Sequence, residues 1–183
     1  MIRPGSTRRI LTANWVSLSS ESLGFNWPLL KLADGCQTKW RSNGILPMEA
    51  EINSRWAPYA DVLPLLDALD TLGIPYGAVS NNVADYQRRK LDLAGLQRIS
   101  VLVGTDTVGV PKPDPAIFHE GARQLGLEPA FTLYVGDNLV IDALGAASAG
   151  LPSVWLNRDG GIDEQRDGPQ MTSLDELLGL LGE

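Results

Sequence analysis

TLYVGDNLVIDALGAASAG, residues Thr132–Gly150, is the stretch whose reading decides the fold. Leu133-Tyr134-Val135 is a short apolar run and reads as a buried strand. Gly136-Asp137-Asn138 suits a strand-to-helix turn with Asn138 as N-cap. In the helix that follows, Ala143, Ala146, Ala147 and Gly150 fall on neighbouring turns, and such small residues let a helix press closely on a sheet. Asp137 therefore stands at the carboxyl end of a strand, and Asp142 follows a little over one turn later. Two carboxylates beside a helix N-terminus suit a hard dication, which takes oxygen ligands. They also suit a plain cap and a first-turn acid favoured by the helix dipole.

Around this stretch the text is regular from about Met48. Glu49–Trp56 reads as a short helix. Tyr59–Leu72 carries Val62, Leu65, Leu66, Leu69 and Leu72 at helical spacing, with Gly73 as C-cap. Ile74–Val79 is an apolar strand closed by Ser80-Asn81-Asn82, and Val83–Ala94 is a helix ended by Gly95. Ser100–Val103 is another strand, followed by a polar loop over Gly104–Gly109. The stiff turn Val110-Pro111-Lys112-Pro113-Asp114-Pro115 leads into a helix over Ala116–Leu125. Beyond Gly150, Pro152–Leu156 is a strand and Asn157–Gly168 a loop. Ser173–Leu181 is a helix with Ser173 as cap and Glu176 at capping-box spacing. Strands alternating with helices of this length predict an α/β fold, a parallel sheet with helices on both faces.

Residues 1–46 read differently. They hold Trp15, Trp27 and Trp40, show no sustained period, and offer two strand-like pieces, Ile10–Leu18 and Pro28–Ala33. No acid precedes Glu21, while Arg3, Arg8 and Arg9 alternate with Ser and Thr, a composition that also suits a transit peptide. The chain is accordingly divided into an irregular amino-terminal or cap segment, 1–46, and a core domain, 47–183. A length of 183 residues gives room for one proper core. The net charge of −7 argues against nucleic-acid and anionic-membrane partners. The single cysteine, Cys36, allows no internal disulfide and fits a reducing, cytoplasmic setting. No apolar run is long enough to span a bilayer.

In a parallel sheet, ligands sit outside the carboxyl ends of the strands at the switch point. Ser80 and Asn81, Lys112, and Asp137 fall there in order. Ser80 precedes a helix N-terminus, whose free N–H groups favour an anion. Its hydroxyl with those amides can hold phosphoryl oxygens, and Lys112 can neutralise them. Asp137 and Asp142 can hold magnesium. Each taken singly has a plainer reading, as a capping run, an exposed turn lysine, or helix-start acids.

The order of these residues resembles a known family. Ala78-Val79-Ser80-Asn81-Asn82 is similar to motif II of the haloacid dehalogenase (HAD) superfamily, Gly109–Phe118 to its motif III, and Gly136-Asp137-Asn138 with Asp142 to motif IV. The resemblance runs from about residue 48 to about residue 160. It implies a Rossmann-like core, magnesium dependence and phosphoryl hydrolysis through an aspartyl-phosphate. By the same resemblance Ser80 and Asn81 bind the phosphoryl group, Lys112 stabilises it, and Asp137 with Asp142 serves the metal. Dehalogenases of the family need no metal and tend to carry Ser where this chain has Asp137, so the resemblance favours the phosphatase branch.

The family's first motif, Asp-x-Asp-x-Thr at the end of the central strand, is not found. Within Ile10–Leu18, setting Ser17 on the motif's Thr puts Ala13 on the nucleophile and Trp15 on the acid. A second alignment uses Asp34-Gly35-Cys36-Gln37-Thr38, in which Asp34 is a candidate nucleophile and Cys36 replaces the acid. The interval from Asp34 to Ser80 is short for a member with a helical cap, so the cap is reduced or truncated.

Three expectations follow. The first is a magnesium-dependent phosphatase for a small phosphorylated metabolite. The second is a non-catalytic relative that only binds phosphate or magnesium. The third, a receiver-like or flavin-binding domain, gives no reason for the Pro-flanked Lys112. His119 is expected at the surface or in packing, and Arg88-Arg89-Lys90 on a solvated helix face. The sequence indicates neither substrate nor oligomeric state.

Overall fold

Short apolar runs closed by Gly, Ser or Asp become strands, and the amphipathic stretches between them become the crossovers that parallel strands require. The computed structural model describes residues 16–19, 57–158, 160 and 168–181. Its strands are β1 (Val16–Ser19), β2 (Tyr76–Val79), β3 (Val101–Val103), β4 (Leu133–Gly136), β5 (Ser153–Leu156) and β6 (Gln170–Met171). Its α-helices are α1 (Val62–Leu72), α2 (Ala84–Leu93), α3 (Thr105–Val108), α4 (Pro115–Gln124), α5 (Gly145–Ser148) and α6 (Asp175–Leu181). The sheet runs β3-β2-β1-β4-β5-β6, with every neighbouring pair parallel. Strand order reverses between β1 and β4, so the crevice at their carboxyl ends is the place for a ligand.

Alternation along the strands separates two apolar layers. Tyr76, Ala78, Leu133 and Val135 join Val62, Leu65, Leu66 and Leu69 of α1, Leu91 of α2 and Leu177 near the chain's end. Val79, Val103 and Tyr134 join Ile117 and Phe118 of α4 and Ala146 of α5 on the other face. The expected sheet with helices on both faces is what forms.

The central slot belongs to β1, which overlaps the expected strand Ile10–Leu18. Val16 lies beside Tyr76 and Leu133, and Ser19 beside Val79. Ser17 is thus in mid-strand, beside Gly77 and Tyr134. A first motif aligned with Ala13 as nucleophile needs Ser17 beyond the strand end, so this register corrects that alignment. The alternative strand up to Ala33, Asp34, Cys36, the 46/47 boundary and the expected helix Glu49–Trp56 lie outside the described residues.

Other local expectations shift for identifiable reasons. The polar loop Gly104–Gly109 contains the single turn α3, because the Gly104 N–H reaches the Thr107 hydroxyl at 3.1 Å. The short edge strand β6 follows the expected loop; its two residues are too few to show a period. At α6 the Ser173 hydroxyl accepts from the Asp175 N–H at 3.1 Å, the cap expected, and the Glu176 carboxylate also reaches the Thr172 N–H at 2.8 Å. Ala143 and Ala146 are buried as expected, but Ala147 and Gly150 face outward. Lys90, expected on a solvated face, is buried, its ammonium over the Tyr86 ring at 4.5 Å from the centroid. His119 is exposed and bonds the Ala149 carbonyl at 2.8 Å. Among the described residues no helix is long and apolar enough to cross a membrane.

One polar lock joins the start of α1 to the carboxyl-terminal part. The Asp61 carboxylate accepts from both terminal nitrogens of Arg158, at 2.7 and 3.1 Å, from the Ser173 hydroxyl at 3.0 Å and from the Leu174 N–H at 2.8 Å. Arg158 also stacks on Tyr59, 4.1 Å from its centroid. Burial alone would raise the Asp61 carboxyl, yet the bonds from Arg158, Leu174 and Ser173 together hold it below the ordinary carboxylate range. A carboxyl lowered by folding stabilises above its unfolded value and loses that contribution as pH falls through the folded value. Asp61→Ala removes the carboxylate from a mostly buried guanidinium and is expected to cost about 3 kcal/mol in urea unfolding near neutral pH. Below about pH 4 the difference from wild type is expected to shrink toward zero; a difference that stays constant there would show that the carboxylate's charge is not what stabilises.

Candidate active site

Ser80 ends β2 because its N–H still pairs with the Val103 carbonyl at 2.9 Å, after which the chain turns. The Ser80 side chain is fully buried, and its Oγ accepts from the Asn82 N–H at 3.0 Å. It donates to Gln87 Oε1 on α2 at 3.4 Å. The amino end of α2 is less open than the sequence implies: the Ala84 N–H is taken by the Asp106 carboxylate at 2.8 Å.

Asn81 has a different surrounding. Its side-chain amide clasps the backbone of Lys112 on both sides, with Nδ2 donating to the Lys112 carbonyl at 3.1 Å and Oδ1 accepting the Lys112 N–H at 2.7 Å. This pair of bonds fastens the proline-flanked turn to the end of β2. The Lys112–Pro113 peptide in that turn is cis. The Asp114 carboxylate then caps α4 through the Ala116 N–H at 2.9 Å.

The Lys112 side chain runs inward, only 2% exposed, and among the described residues its ammonium meets three groups. They are Asp142 Oδ1 at 2.7 Å, the Tyr134 hydroxyl at 3.2 Å and the Val79 carbonyl, one residue before Ser80, at 3.3 Å. The reading of Lys112 as an exposed turn lysine is thereby excluded. Tyr134 also donates to Asp142 Oδ1 at 3.1 Å and packs edge-on against Phe118, centroids 5.0 Å apart. Its part went unread in the sequence, where it counted only as an apolar strand residue. The available signal was that a tyrosine buried in mid-strand must find a partner for its hydroxyl.

The two aspartates expected to share a cation occupy unlike places. Asp137 is exposed just beyond β4, its carbonyl held by the Trp155 indole N–H at 2.9 Å. Asp142 is buried, with Oδ1 on Lys112 and Tyr134 and Oδ2 accepting the Asn138 N–H at 3.1 Å. Asn138 is the N-cap expected, its Oδ1 accepting from the Val140 and Ile141 N–H groups at 3.1 and 2.9 Å. The turn it opens, Leu139–Leu144, is π-helical before α5 resumes α geometry. Gly136 is required here, because a Cβ at that position would overlap the Cβ of Asp142.

Among the described residues no group of three His, Cys, Asp or Glu side chains converges on a common point. A magnesium ion commonly keeps several waters and takes only one or two carboxylates beside substrate phosphate. Asp137 is an exposed carboxylate at the switch point, the kind of oxygen ligand such an ion takes, and Asp142 is bonded to the lysine.

A family model described as haloacid dehalogenase-like hydrolase matches residues 27–150. The chain is 41% identical over 102 residues to the glyceraldehyde 3-phosphate phosphatase of Methanopyrus kandleri, covering 55% of this chain and 44% of the relative. It is 32% identical over 128 residues to (S)-2-haloacid dehalogenase 2 of a Pseudomonas species, covering 68% and 56%. A crystal structure of a HAD phosphatase from Thermococcus onnurineus superposes with a TM-score of 0.60 at 36% identity, covering 68% of this chain and 58% of that one. The chain thus spans about half the length of the curated relatives it matches.

The buried pair makes its own prediction. Lys112→Met strands the Asp142 carboxylate in an apolar setting and is expected to cost about 3–5 kcal/mol in denaturant unfolding. Adding Asp142→Leu should recover most of that loss, since an apolar pair of similar volume is commonly tolerated. A double variant as unstable as the single one would mean the cost lies in packing rather than in the stranded charge.

Proposed function

The chain belongs to the haloacid dehalogenase-like hydrolase family, and on that premise we propose that it is a magnesium-dependent phosphomonoester hydrolase acting on a small phosphorylated metabolite. The observation that carries this reading is the Lys112 ammonium. It is buried, tied to Asp142, and held against the Val79 carbonyl next to Ser80 at the carboxyl ends of the strands.

In this reading the phosphoryl group enters at the ends of β2, β1 and β4. The Ser80 hydroxyl donates to one of its oxygens and Lys112 neutralises its charge. Asn81 acts through the backbone of Lys112, and Asp142 through its ammonium, so both set where the positive charge stands. Asp137 holds the magnesium, which when bound screens the anionic phosphoryl group from its attacker. Asp137 supports the phosphatase over the dehalogenase branch, since it gives a cation an exposed carboxylate. Asp34 remains the candidate nucleophile. A cytoplasmic setting fits the single cysteine, and the negative charge of the chain keeps nucleic acid out of the list of partners.

A second reading, a relative that binds phosphate and magnesium without turnover, is favoured by one observation. Ser19 of β1 lies beside Val79, and the sequence continues Ser20-Glu21, so no aspartate in sequence follows directly on the central strand beside Ser80. Covalent transfer without a carboxylate lacks its acceptor.

Turnover of a panel of small phosphomonoesters with magnesium separates the two. For the hydrolase, Ser80→Ala and Asp137→Asn are each expected to lower kcat/KM on the order of 10²-fold, Asp34→Asn to abolish turnover, and beryllofluoride with magnesium to raise Tm. For the binding protein, magnesium and phosphate still raise Tm, while turnover and any beryllofluoride effect are absent. Indifference of Tm to both ions, together with no turnover, would remove both readings.

A further inference from the structure

Gln87 lies on α2 with its side chain 1% exposed, and its Nε2 has no hydrogen-bond partner. A buried amide donor left without an acceptor is costly, so its position calls for a reason. Its Oε1 does have partners, at long range: the Ser80 hydroxyl at 3.4 Å and Asn82 Nδ2 at 3.3 Å. The orphan donor therefore sits directly behind the hydroxyl assigned above to the phosphoryl group.

A hydroxyl has one proton and two lone pairs. Among the described residues, the Ser80 hydroxyl donates to Gln87 Oε1 and accepts from the Asn82 N–H. An oxyanion needs the reverse, a proton pointing outward. A half-turn of the Gln87 amide about its last side-chain bond exchanges O and N with almost no change in shape. The same half-turn of the half-buried Asn82 amide presents its Oδ1 to Gln87 and its Nδ2 to solvent. Nε2 then donates to Ser80 Oγ and Asn82 Oδ1. Ser80 accepts from Nε2 and from the Asn82 N–H, and its proton is released toward the anion. The donor that was orphaned becomes the one that aims the hydroxyl.

We propose that Gln87 is the positioning residue for Ser80: its amide turns to donate to the Ser80 hydroxyl when a phosphoryl oxyanion occupies the strand ends. This rests on the reading of Ser80 as a phosphoryl-binding group. No covalent bond changes; one hydroxyl proton changes its acceptor.

The test uses the full chain with inorganic phosphate and magnesium, followed by calorimetry. Gln87→Met keeps the volume and removes the amide, and is expected to weaken phosphate binding by up to about tenfold, the worth of one hydrogen bond. Ser80→Ala is expected to weaken it as well, and the double variant to bind no worse than Ser80→Ala alone, because both changes remove one coupled unit. In nitrogen-15-labelled protein the Gln87 side-chain amide resonances should move on adding phosphate to wild type and stay in place in Ser80→Ala. If thermal unfolding shows that Gln87→Met does not fold, Gln87→Glu replaces it, a carboxylate that can only accept and should bind phosphate more weakly still. Unchanged binding in the folded variant, an effect that adds to that of Ser80→Ala, or amide resonances indifferent to phosphate overturns the proposal while leaving the phosphoryl site standing. Wild-type protein that binds no phosphate removes the site and this role with it.

Discussion

A lysine and an aspartate, each about 2% exposed and 2.7 Å apart, set the terms for the rest of the structure. Withdrawing two charges from water is costly, and the cost is offset only when geometry and further hydrogen bonds are good. The surroundings meet that demand one atom at a time. Tyr134 donates to Asp142 and receives from Lys112, the Asn138 N–H covers the second carboxylate oxygen, and the Val79 carbonyl takes a further ammonium proton. Glycines supply the room: Gly136 lets Asp142 lie against β4, and a Cβ on Gly145 would stand 2.8 Å from the Pro113 side chain. Asn81 fixes the lysine's backbone, so the side chain enters from a fastened turn. A charge bonded on this many sides is fixed in place at the strand ends.

The fold was legible where the physics is local. Apolar runs such as Leu133–Val135 and Ile74–Val79 lie inside a layered sheet, and their periodicity carries that information. Gly73 adopts φ 65° after α1, as its C-cap reading requires. What the sequence could not show were relations across distance. Nothing local says that Asn81 reaches a backbone 31 residues on, or that Arg158 and Asp61 meet. Lys90 looked like part of a charged helix face, yet α2 turns its aliphatic stem inward, a placement open to a long side chain with an apolar body.

The first motif was illegible for another reason. A central strand needs only to be extended and to pair on both sides, and Val16–Ser19 does so with Ser at alternate positions of its sequence. Family likeness in this region is expected from aspartates at the strand end, and the sequence after β1 continues Ser20-Glu21. The strand slot and the chemistry at its tip are separate requirements: backbone pairing satisfies the first whatever side chain stands at the second. The sheet therefore closes around β1 through its parallel pairing with β2 and β4.

The two aspartates of the Gly136–Asp142 stretch show how one sequence signal divides into two roles. Both follow a strand and open a helix, and both read as ligands for one cation. The π-helical turn separates them. The Asp142 N–H bonds the Asn138 carbonyl at 2.9 Å, and the Ala143 N–H bonds the same carbonyl at 3.2 Å, five residues on. A turn widened in this way carries Asp142 back under the end of β4, where only Gly136 gives it space. Asp137, one residue past the strand, stays outside. An α-helical start would set residue 142 at a different angle to the strand and away from the ammonium. The inner carboxylate thus fixes a cation that belongs to the chain, and the outer one stands exposed beyond the strand end.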